Sequence, residues 1–493
     1  MIIPSRPRGL CLAVAVLTAI GGALVAVHYH RLGLTLSHYD ARGHLIVARR
    51  IIDSVTPGWQ QIGAVWLPLP HLVNALPVQV DAWYRTGASA VAFSIAAYAL
   101  TSGSIAWMVV TLTGSRAAAV AGATVFALNP NVLYLQATPM TEPLLFGLTT
   151  LAVALLIEWL TARHVGAASV GITFALACLT RYEAWPVTVI ALAAAAWTRW
   201  RAGDSWRAAV HRVLPIARYP IAAVLAFGVF SRVVIGAWLV PGGFFVPENP
   251  ALGHPWIAAS QVIWGVRVLS GYGLMAAGIA GLIGLLLAAL LDRGRAHLVV
   301  PLALAGTAAV PWIAFLDGHP YRIRYLVPLV VAQAVSVGAA AGLVKRPRPA
   351  LLGALLLLVA YELRPLDASA PMVVEAQWDR PNMAVRQQVT ACLRTSYSGD
   401  TIMASMGSLG HYMQELSRAG FNVRDFLHEG NGDIWLAALT GPRPYAGWIL
   451  IEEQAEGGDM LALIARENPM FLDGFSRACE GAGVALYRRA TRQ

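Results

Sequence analysis

The sequence predicts a polytopic α-helical membrane protein with a small water-facing α/β domain at its C-terminal end. Three observations carry this. Of the 493 residues, 57% are hydrophobic and 13% charged, and mean hydropathy is +0.60, too apolar for a soluble globular chain. The apolar residues gather in runs of about 15–25, near the length that crosses a bilayer. After residue 363 those runs stop and the chain turns polar.

The first candidate span, residues 10–27, follows Arg6 and Arg8. No clear small-x-small cleavage site follows it, so it reads as an uncleaved span rather than a signal peptide. Later candidates are 88–112, 118–136, 143–161, 166–180, 185–198, 214–238, 268–291, 297–316, 325–344 and 349–363, about eleven in all. With the N-terminus inside, the cytoplasmic loops contain Arg116; Arg163; Arg199, Arg201, Arg207 and Arg212; Arg293 and Arg295; then Lys345, Arg346 and Arg348. Every inner loop is basic, as the positive-inside rule requires. The expected protein is therefore a multi-pass plasma-membrane protein, divided into residues 1–363 and an extracytoplasmic domain of residues 364–493.

The net charge of +10 does not point to nucleic acid. Most basic residues sit in those short loops, and no basic, aromatic-interleaved soluble module is present. Cys11 and Cys178 fall in apolar runs and read as packing residues. Cys392 and Cys479 lie in the outer tail, where a disulfide is chemically permitted, although sequence fixes no distance between them. In the tail, strand-like runs at 401–404, 448–452 and 484–487 alternate with helix-like runs at 383–392, 409–419 and 460–465. It shows no glycine-rich nucleotide loop and no metal-ligand spacing.

The first external loop, about residues 28–86, opens with Asp40, Arg42 and His44 on an amphipathic run that stops at Thr56-Pro57. Trp59 to His71, including Trp66, then suggests segments lying in the membrane interface. A second external loop, about 241–264, carries Gly242-Gly243-Phe244-Phe245, Glu248 and His254, and fits either a cover or a connector. Of the acidic residues before the tail, only Glu158, Asp204 and Asp292 fall near the inner face, and Arg232 is the nearest charge to mid-span. An ion-coupled transporter usually needs charges near the midplane.

Three outer junctions hold the remaining candidates. Thr141-Glu142-Pro143 opens a helix, so Glu142 is either a cap or a site carboxylate. In Thr180-Arg-Tyr-Glu183, Arg181 either pairs with Glu183 or meets an anionic ligand. His319, Tyr321, Arg322 and Arg324 crowd one outer turn, fitting interfacial anchoring or phosphate binding. His44, His71 and His254 are too scattered for zinc, and no Ser or Cys sits in a nucleophile motif.

The run Tyr39-Asp40-Ala41-Arg42-Gly43-His44 through Arg50, with Thr141-Glu142-Pro143 and this topology, resembles the GT-C superfamily of membrane glycosyltransferases. The resemblance is to the protein O-mannosyltransferase and aminoarabinose transferase branch and covers roughly residues 1–345. It implies a GT-C-like fold and transfer of a sugar from a polyprenyl-phosphate donor to a protein, lipid or glycan acceptor. By the same resemblance, Asp40 is the base and Glu142 the second acidic residue. Arg322 and Arg324 hold the donor phosphate, with Tyr321, His319 and Arg181 beside them. His44, Glu183, Trp66 and His71 are expected to line the pocket. Ala41 stands where some members carry Glu. No cofactor is expected, and a divalent metal between Asp40 and Glu142 is left open. The competing readings are a flippase for lipid-linked sugar and a non-catalytic envelope assembly protein.

Overall fold

The computed structural model describes residues 8–161, 164–238, 249–346, 348–453, 459–481 and 483–490. Arg6, Arg163, the Gly242–Phe245 run and Glu248 lie outside the described residues. The chain forms two compact units, Met1–Leu32 with Val91–Glu375, and Gly33–Ala90 with Ala376–Gln493.

The first unit is a helical membrane unit. Among the described residues, seven helical segments are long and apolar enough to cross a bilayer: Arg8–Arg31, Ala88–Thr113, Glu142–Thr161, Trp206–Ile235, Tyr272–Leu291, Arg293–Leu316 and Ile323–Leu343. Arg116–Ala127 and Ala167–Cys178 are apolar but shorter. The protein is a multi-pass membrane protein. Pro328–Leu343 is buried along nearly its whole length. Small residues let its neighbours approach closely: a Cβ on Gly338 would come within 3.0 Å of the Gly122 backbone, and one on Gly281 within 2.7 Å of the Ser336 carbonyl.

Local chemistry breaks two expected spans. The 118–136 run stops at Ala127 and resumes at Pro130, because Pro130 donates no N–H and Asn129 caps the new helix through the Asn131 and Val132 amides. The 268–291 run contains Gly271 at φ 88°, which separates Pro255–Ser270 from Tyr272–Leu291. Residues 255–264, expected as loop, are therefore helix.

The second unit is α/β. Its five-stranded sheet has the order β2-β1-β3-β5-β4, with β1 at Ile402–Ala404, β2 at Phe426–Leu427, β3 at Trp448–Glu452, β4 at Phe475–Gly481 and β5 at Val484–Arg489. β1 runs parallel to β2 and β3, whereas β5 is antiparallel to β3 and β4. One core holds Ile402, Trp448 and Leu450 together with Leu36, Leu45, Ile46, Val78 and Tyr84. A second holds Met403, Trp435, Ile449 and Phe471. Residues 33–90 thus supply part of the first core. A disulfide joins Cys392 on the Met383–Ser396 helix to Cys479 on β4.

Candidate functional site

In the membrane unit, the Glu142 and Glu183 junctions converge on Arg181. Glu142, the first residue of Glu142–Thr161, is fully buried, and Glu183 is 3% exposed. Arg181 Nη1 lies 3.1 Å from Glu142 Oε1, and Nη2 lies 2.7 Å from Glu183 Oε1. Nε donates to both Glu183 oxygens at 3.1 and 3.2 Å, and Nη1 donates to Thr141 Oγ1 at 2.9 Å. Burial disfavours the Arg181 cation, but the two carboxylates outweigh it and hold its proton more firmly than usual, while the charge of Arg324 opposes them.

The predicted phosphate residues share one turn. Arg324 is 8% exposed; it stacks on the Tyr325 ring at 4.8 Å and donates to the Tyr325 hydroxyl at 3.1 Å. Tyr321 packs between Phe315 and Trp264 at ring distances of 5.3 and 5.4 Å. Burial raises its hydroxyl well above the ordinary value, and Glu375 adds to the shift. His319 stands against Tyr325 at 5.4 Å, and its backbone carbonyl accepts from Asn249. Arg322 is half-buried. Glu375 accepts the Ile323 N–H at 2.7 Å, fixing the start of the turn.

In the α/β unit, Asp40 occupies the first turn of Tyr39–Arg50 and is 8% exposed. His38 caps that helix, its Nδ1 accepting the Asp40 N–H at 3.1 Å. One turn on, His44 Nδ1 lies 3.1 Å from His71 Nε2, and Trp66 packs on both rings at 4.2 and 5.9 Å. Gly43 permits this approach, since a Cβ there would lie 2.9 Å from the Trp66 ring. Burial first, then the charge of Arg50, pushes His71 down to about 3. Of the expected pocket residues, His44, Trp66 and His71 therefore come together, while Glu183 belongs to the membrane unit.

Sequence reasoning missed the frame that holds this helix. Arg42 pairs with Asp379 at 2.8 Å, and Arg386 meets the same carboxylate at 2.7 Å. His411 Nδ1 lies 3.2 Å from it, and Glu452 holds Arg386 at 3.1 Å. Burial alone would raise the Asp379 carboxyl, but hydrogen bonds from His411 and Arg386 hold it far below the usual carboxylate range. Among the described residues, no cluster of three or more His, Cys, Asp or Glu could hold a metal ion.

No protein-family profile matches the chain, and no curated protein matches it either. Its fold does match solved structures. Crystal structures of ArnT from Cupriavidus metallidurans, one bound to undecaprenyl phosphate and one in the apo state, superpose with a TM-score of 0.54 each. Identity is 13% and 11%, and each match covers 96% of this chain and 99% of the ArnT chain. At that identity the likeness concerns architecture: over nearly its whole length the chain shares the fold of ArnT.

Proposed function

We propose that the protein is a membrane glycosyltransferase that moves a sugar from a polyprenyl-phosphate donor to an acceptor hydroxyl on the extracytoplasmic face, with inversion. The observation that carries this reading is whole-length likeness to a fold that, in ArnT, holds undecaprenyl phosphate. Asp40 is the base: it takes the hydroxyl proton as the acceptor oxygen attacks the anomeric carbon, and polyprenyl phosphate leaves from the opposite side. Its low exposure in the first turn of a packed helix supports this role.

Arg322 and Arg324, with Tyr321 and His319 on the same turn, meet the charge that develops on the leaving phosphate. Arg181 adds positive charge while fixing Glu142, the second acidic residue, and Glu183. Trp66, His44 and His71 offer an aromatic wall to a sugar ring. The acceptor is a protein, lipid or glycan. The Cys392–Cys479 disulfide favours an oxidising compartment for the tail, with the N-terminus cytoplasmic. The reading is tested by incubating the full chain in detergent with a polyprenyl-phosphate sugar and an acceptor extract. Release of polyprenyl phosphate coupled to a new glycosidic bond is expected; transfer of intact donor between leaflets with no bond made would overturn it.

A further inference from the structure

The helix Tyr39–Arg50 carries three arginines in different surroundings. Arg42 pairs with Asp379, and Arg49 with Asp53 and Asp81. Arg50, 7% exposed, has no carboxylate at ion-pair distance among the described residues. Its one hydrogen bond to the described chain runs from Nε to the Gln61 carbonyl at 2.6 Å, so both Nη groups are left without a chain acceptor. Only the charge of Glu429 answers it, from beyond ion-pair distance, and a buried cation so weakly compensated is disfavoured.

His428, fully buried, belongs to the same cluster. Its Nδ1 accepts the Gly430 N–H at 3.0 Å, which leaves the ring proton on Nε2, and Nε2 has no acceptor. Gln61 ties the two residues together: its carbonyl takes Arg50, and its amide donates to the Gly430 carbonyl at 2.7 Å. The charge of Arg50 helps depress both His71 and His428. Glu429 is the one acid whose charge bears on Arg50. It already accepts the Met406 N–H at 2.7 Å, and burial pushes it up to about 6. Gln61 Oε1 is a buried acceptor without a partner. The remaining imbalance is one of unanswered donors and positive charge.

We propose that Arg50 and His428, with the His44–His71 pair alongside, form an oxyanion site that takes a phosphate group. Arg50 follows Asp40 by ten residues, about 15 Å along the helix. Arg50 therefore stands apart from the proposed base, and the inference does not depend on Asp40 being a base.

The test uses the full chain in neutral detergent, with inorganic phosphate and geranyl phosphate as separate probes, read by calorimetry and by the shift in melting temperature. Binding of at least one probe is expected, weakened about tenfold or more in Arg50→Met and in His428→Phe but not in Arg477→Gln, an exposed arginine of the same unit. Arg50→Met removes a weakly compensated buried charge, so it should fold; Arg50→Lys, which keeps charge but loses the fork, should bind with intermediate affinity. Response to inorganic phosphate assigns the site to a free phosphate, and response to geranyl phosphate alone assigns it to a lipid headgroup. Failure of the wild type to bind either probe, or equal affinity in wild type and Arg50→Met, would overturn the proposal.

Discussion

Arg181 bridges Glu142 and Glu183, with one Nη 3.1 Å from the first carboxylate and the other 2.7 Å from the second. All three side chains are withdrawn from solvent. Arg181→Gln leaves two buried carboxylates unanswered, and the expected cost is about 3–5 kcal/mol. Arg181→Lys should recover only part, because an ammonium cannot hold both acids in the same fork. Thermal unfolding in detergent checks this, and adding Glu183→Gln to Arg181→Gln should restore stability relative to the single variant.

The α/β unit should lose stability in acid. His71 has a folded value of about 3, set first by burial and then by Arg50, against about 6.5 when unfolded. A depressed value means that the contribution is complete above pH 6.5 and is lost as pH falls through 6.5 toward 3. At pH 5 the loss from one such histidine is about 2 kcal/mol, and His428 shifts in the same direction. Glu429 works the other way: its raised value of about 6 adds stability as pH falls through that point. Burial raises Glu415 and Glu452 in the same direction, so the histidine contribution is read as a difference: from pH 7 to pH 5 the melting temperature should fall more steeply in the wild type than in His71→Gln.

Cutting the chain after residue 375 should unfold residues 33–90. Leu36, Leu45, Ile46 and Val78 share a core with Ile402, Trp448 and Leu450, and Arg42 would lose Asp379. Hydrogen exchange over 39–50 reports the result: slow in the full chain, fast after truncation. Asp379→Asn should mimic part of this, at about 3–5 kcal/mol, because Arg42 and Arg386 both lose their buried carboxylate.

Reduction of Cys392–Cys479 frees a loop whose ends are 87 residues apart, for which loop-closure entropy gives about 4–5 kcal/mol. A drop in the melting temperature of the α/β unit after reductant, repeated in Cys392→Ser, is expected.

The readable parts of the fold are those with local signatures. Runs rich in β-branched and aromatic residues placed strands near 401–404, 448–452 and 484–487, and the structure has β1, β3 and β5 there. β4 escaped because Phe475–Gly481, at the sheet edge, has no buried residue and no apolar alternation, and β2 because two residues carry no period. The packing of residues 33–90 with the tail was illegible for a different reason. Arg42 and Asp379 are 337 positions apart, and nothing in either segment's own pattern names the other. Arg181 was ambiguous likewise: its neighbour Glu183 is visible two residues on, whereas Glu142, 39 positions back, is brought beside it only by the fold. Arg50 looked like one more basic residue on an amphipathic helix until the partners of Arg42 and Arg49 set it apart.

Single-turnover transfer from a polyprenyl-phosphate sugar by purified Asp40→Asn measures whether Asp40 removes the acceptor proton. Wild-type donor binding is expected, with a transfer rate lower by about two to four orders of magnitude. A folded Asp40→Asn protein that transfers sugar at the wild-type rate would contradict it.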